Sequence, residues 1–169
     1  MNIRQILSKG QSRSTTEEIV KYIGGDYTRF AELMAVFING DYRLKQCSAW
    51  PISVVAEDHP ELVLPYLSKL IDDLPRTDVH NAVRRSILRA LQYVEIPKRL
   101  QGKVFSHCLD LIGDPRQAVA IRAFSLTVAS KISAGEPALM NELRLIVMTH
   151  LPGTSAAFRV RARGILTQA

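Results

Sequence analysis

The chain has 169 residues, 47% hydrophobic and 22% charged, enough for one soluble domain with a real core and unlike a disordered chain. No apolar run approaches the roughly 20 residues that span a bilayer, and MNIRQILSKGQSRS carries charges inside its short apolar part, unlike a secretory leader. Net charge is +6 and uneven: residues 1–75 hold eight Lys+Arg against ten Asp+Glu, and residues 76–169 hold fourteen against six.

Helix signals run from Ser14 onward. Ser14-Thr-Thr-Glu17 is a capping-box pattern, in which the Ser14 hydroxyl accepts from the third helical amide and the glutamate reaches back to the Ser14 amide. The helix it opens ends at Gly24-Gly25, where glycine relaxes the left-handed turn of a C-cap. Asp26 then caps YTRFAELMAVFI, which ends at Asn39-Gly40. Residues 1–40 therefore form an N-terminal helical cap within the same domain.

From Asp41 on, helices come in pairs. First members are expected over 42–57, 79–94, 116–131 and 155–167, second members over 61–74, 97–112 and 137–151. The joints EDHP, LPRTD, EIP, GDP, AGEP and LPGTS are short, polar or proline-containing, and proline fits a first turn because its missing amide has no partner there. No stretch alternates strictly as a strand does.

Sliding the first helices over one another puts Leu44, Val83, Val119 and Phe158 in register, at spacings of 39, 36 and 39 residues. The second helices align Leu67, Val104 and Leu143; Ile71, Cys108 and Val147; and Leu74, Leu111 and His150. A two-helix period near 40 residues is the pattern of units that bury their apolar faces on one another. The unit openings DVHNAVRRSILRAL, DPRQAVAIRAFSLTVA and AAFRVRARGILTQ, with a second helix such as HPELVLPYLSKLIDDL, resemble the HEAT/armadillo class. Pro51 in AWPISVV matches the proline often found in a HEAT first helix. The resemblance implies an all-α, right-handed α-α superhelix, with units at 41–75, 76–113 and 114–152 and a partial unit at 153–169.

Candidate contact residues follow from charge on helix faces. Arg85 and Arg89 lie four residues apart on the outward side of a first helix, while Arg99, Lys103 and His107 step along one flank of the second helix over 97–112. In this register Lys45, Arg84 and Arg159 are equivalent, Ala120 breaks the series, and Arg122 is expected to brace a helix C-terminus or Asp114. A continuous basic groove is not expected, because Lys103 is matched by Tyr66 and Glu142, and Arg99 by Leu62 and Ala138.

Converging chemistry is sparse. His59, His80, His107 and His150 form no His-x-x-x-His or Glu-x-x-His pair for a metal, and Gly24-Gly25 lacks the spacing and lysine of a phosphate loop. Cys47 and Cys108 sit in helix patterns, which fits small core residues in a reducing cytoplasm. Some members of the resembled class are alkylpurine DNA glycosylases, whose sites need aromatic side chains and a carboxylate. Trp50, the one tryptophan, is expected instead to pack against a neighbouring unit. The sequence thus predicts a non-enzymatic module that binds a protein or peptide, without cofactor or metal. The alternative is nucleic-acid binding through the basic C-terminal half.

Overall fold

A computed structural model describes residues 1–167; positions 168 and 169 of the partial unit lie outside the described residues. The described residues are helical with no strand. They fall into two compact units, Met1–Glu95 and Ile96–Ala169.

In the first unit, α1 (Ile3–Ser8), α2 (Arg13–Ile23) and α3 (Tyr27–Asn39) pack with α4 (Tyr42–Asp58), which also carries α6 (Asn81–Leu91). α1 goes beyond the sequence reading. Asn2 caps it, its Oδ1 accepting the Gln5 amide at 2.9 Å, and it buries Ile3 and Leu7. The capping box at Ser14 does not form. Ser12, extended at φ −142°, accepts the Thr15 amide at 3.0 Å and starts α2 two residues earlier, while Glu17 turns to Arg13 at 2.7 Å. The Gly24-Gly25 stop is as expected: both have positive φ, and a Cβ on Gly25 would lie 2.9 Å from the His59 ring. Asp26 caps α3 through the Arg29 amide, and Phe30, Leu33, Met34 and Phe37 fill the core behind it.

The helix expected over 61–74 is divided. Pro60–Tyr66 forms a 3-10 helix and Leu67–Asp72 forms α5. Pro65 has no amide to donate, and its ring crowds the preceding turn, so the α pattern starts only after it. Pro51, by contrast, lies inside α4 without ending it.

The second unit holds α7 (Lys98–Gly113), α8 (Val119–Ser133), α9 (Pro137–His150) and α10 (Ala156–Thr167). α8 packs on α7, α9 and α10. The second-helix register is seen in burial: Leu67, Val104 and Leu143 are buried, as are Ile71, Cys108 and Val147, and His150 is half-buried where Leu74 and Leu111 are buried.

One position of the first-helix register is corrected. Val119 is 53% exposed, whereas Leu44, Val83 and Phe158 are buried. The helix expected from Arg116 begins at Val119, because Asp114 accepts the Arg116 amide at 3.0 Å, its side chain at 2.9 Å and Gln117 at 3.0 Å, holding the GDPRQ stretch as a turn. Ile121, fully buried, sits two residues into α8, as Leu44, Val83 and Phe158 do in their helices. The spacings become 39, 38 and 37 residues. Ala120 then no longer breaks the basic series, which reads Lys45, Arg84, Arg122 and Arg159.

Each of these cations is used inside its own unit. Lys45 meets the buried carboxylate of Asp73 at 2.6 Å and lies over the Phe37 ring. Arg84 donates to the Arg76 carbonyl at 2.7 Å, Arg122 to the Ile112 carbonyl at 3.0 Å, and Arg159 to the Thr154 carbonyl. Three of the four close a backbone acceptor left over near a helix end or joint. The expected bracing role of Arg122 is what the structure has, with its guanidinium also 4.7 Å over the Phe158 ring.

Candidate functional site: a trough on the first unit

α2 and α6 both pack on α4 and leave part of it open between them. The opening is a trough of about 480 Å³ with a mostly apolar floor: Thr16 and Val20 from α2, and Trp50 and Val54 from α4. Trp50 and Val54 are one turn apart on one face of α4 and half-buried, so the indole is not sealed in by packing. This differs from the packing role expected for Trp50. Arg13, Glu17 and Lys21 from α2 and Arg89 from α6 line the edges.

Arg89 is held in place. Its Nη2 donates to Glu57 Oε2 at 2.8 Å, and the Tyr93 hydroxyl donates to Glu57 Oε1 at 2.5 Å. The Tyr93 hydrogen bond, with the Arg89 guanidinium, keeps the Glu57 carboxyl below the usual carboxylate range; the same bond raises the Tyr93 phenol above its ordinary value. Glu57 therefore stays ionised with an engaged donor on each oxygen, a positioning role rather than a free acid or base.

The five candidates read from the sequence divide between the two units. Arg85 and Arg89 lie on α6: Arg85 is exposed one turn before Arg89, and only Arg89 lines the trough. Arg99, Lys103 and His107 lie on α7, the first two exposed and the histidine half-buried. Sequence reasoning reached Arg89 and missed Trp50, Val54 and Glu57. The signal available was their spacing of four and three residues along one face of α4.

A family model described as a HEAT repeat domain matches residues 3–169. The chain belongs to the HEAT repeat family. The match takes in α1–α3 as well as the later pairs, so this HEAT-repeat protein is a helical-repeat scaffold over nearly its whole length. Comparison with curated proteins and with solved structures gave no significant match in either set. No helix among the described residues is long and apolar enough to cross a membrane. No group of three His, Cys, Asp or Glu among them is placed to hold a metal.

Proposed function

We propose that this HEAT-repeat protein is a non-enzymatic interaction module that holds a segment of another protein in the trough between α2 and α6. The observation that carries the reading is Trp50: a half-buried indole on an open apolar floor, framed by charged side chains. Tryptophan and arginine are the residues that most often anchor protein interfaces, because one offers a large rigid apolar area and the other a planar set of donors. A volume of about 480 Å³ suits a few large apolar side chains from a partner. Arg89 lines this trough, and Arg85 lies exposed one turn from it on α6. Arg99, Lys103 and His107 on α7 form a separate candidate contact on the second unit. The reading places the module in a reducing compartment such as the cytoplasm, supported by Cys47 and Cys108, both buried and in no disulfide.

Nucleic-acid binding through the basic half draws less support. The second unit has ten Lys+Arg against four Asp+Glu, but Arg122, Arg144 and Arg159 donate to backbone carbonyls and Arg116 pairs with Asp114 at 2.9 Å.

Selection of a random dodecapeptide display library on the intact protein tests the reading. Retained peptides are expected to give a saturable change in Trp50 emission, which is unambiguous because the chain has one tryptophan. Val54→Arg, which thrusts a charge into the floor, is expected to remove the change while leaving the unfolding transition in place. A selection that yields no peptide able to change Trp50 emission refutes the proposal.

A further inference from the structure

The charge around the trough specifies more than a generic peptide. Three cations line it, Arg13 and Lys21 on α2 and Arg89 on α6; Arg85, exposed, lies one turn from Arg89 on the same helix, just outside the lining. The two nearby carboxylates are both engaged, Glu17 by Arg13 at 2.7 Å and Glu57 by Arg89 at 2.8 Å and by Tyr93. Lys21 and Arg85 form no ion pair among the described residues, and they lie on α2 and α6, the two helices that flank the floor.

The first unit as a whole is balanced, with twelve Lys+Arg and twelve Asp+Glu. Among the residues that line the trough, by contrast, cations outnumber carboxylates three to one: Arg13, Lys21 and Arg89 against Glu17. A long polyanion gains from many phosphate contacts over an extended basic surface, which this unit does not offer. A short segment with one apolar anchor needs only a few opposite charges beside it.

We infer that the occupant of the trough is an acidic segment of a partner protein, with an apolar side chain seated on Trp50 and Val54 and carboxylates on either side facing Lys21 and Arg85. The inference rests on the reading proposed above and narrows it to one partner chemistry. The segment's carboxylates complete ion pairs that the folded chain leaves open, while its apolar residue removes the half-exposed indole from water.

The test uses the library-selected peptides and the intact chain. Retained dodecapeptides are expected to be net negative with an aromatic or aliphatic residue between the charges, and their binding should weaken as salt rises. The double variant Lys21→Glu/Arg85→Glu changes two exposed side chains, and its circular dichroism and thermal transition should match the parent. It is expected to bind the same peptides roughly tenfold more weakly or worse. Selected peptides that are basic or neutral, shift Trp50 emission and ignore the double variant would overturn the acidic-segment inference while leaving peptide binding intact. Failure of every peptide to move Trp50 emission would overturn both. A fifteen-residue oligothymidylate that shifts Trp50 emission where acidic peptides do not would overturn the inference in favour of nucleic acid.

Discussion

At the residue scale, the basic series Lys45, Arg84, Arg122 and Arg159 was half legible. Its members were visible in the sequence, but Arg122 sat out of register until the turn at Asp114 moved the start of α8. Arg122→Met is expected to destabilise the chain by roughly 1–3 kcal/mol, since it leaves the Ile112 carbonyl without its donor and uncovers Phe158. Arg163→Met, at an exposed position, should stay within about 0.5 kcal/mol; urea denaturation separates the two. Asp73→Ala strips Lys45 of its buried partner and should cost roughly 3–5 kcal/mol. The carboxylates of Glu57 and Asp114 have folded pKa values below their unfolded ones, Glu57 chiefly through Tyr93 and Asp114 chiefly through Arg116. Their stabilising contribution is therefore present above the ordinary carboxylate range and is lost as pH falls through the folded values. Glu57→Gln should show a shallower fall of Tm than the parent on acidification below about pH 4, measured by thermal melts.

At the element scale, the second helices were read in correct register because two buried apolar positions repeat on all three, Leu67, Val104 and Leu143 and then Ile71, Cys108 and Val147, with His150 alone departing at the next. Departures came where local chemistry competes with periodicity. Pro65 converts the start of a helix into 3-10 geometry, Ser12 rather than Ser14 opens α2, and the Asp114 side chain keeps three further residues out of α8. α1 went unread because a six-residue helix offers too few turns for a period to show. The revised register has a direct consequence: Ile121→Ala should cost roughly 2–5 kcal/mol through the cavity it leaves. Val119→Ser should change stability by less than about 0.5 kcal/mol. Equal effects at the two positions would restore the original alignment.

At the scale of the whole molecule, fold class was written plainly in the sequence, and the site was not. Repeats announce themselves by recurrence, whereas the trough and the groups that hold Arg89 come from residues 13–21, 50–57 and 89–93, three stretches with no common period. Arg85 and Arg89 stood out as charge on a helix face, but Trp50 looked like packing because nothing local shows that α2 and α6 leave α4 uncovered. The interior is closed in a way that chemistry can read: burial pushes the Cys108 thiol up to about 12, and Cys47 is also buried. Since the thiolate is the reacting form, an aromatic disulfide reagent at pH 8 should label neither cysteine of the native chain within minutes and both once it is unfolded.

Most directly at stake is the claim that Trp50 lies in an open, cation-bordered trough. Collisional quenching of its emission by iodide and by caesium measures that at one residue. Iodide, drawn by Arg13, Lys21 and Arg89, should quench several-fold more effectively than caesium, with the difference shrinking as inert salt screens the cations. Equal quenching by both ions, or resistance to both, would contradict the account.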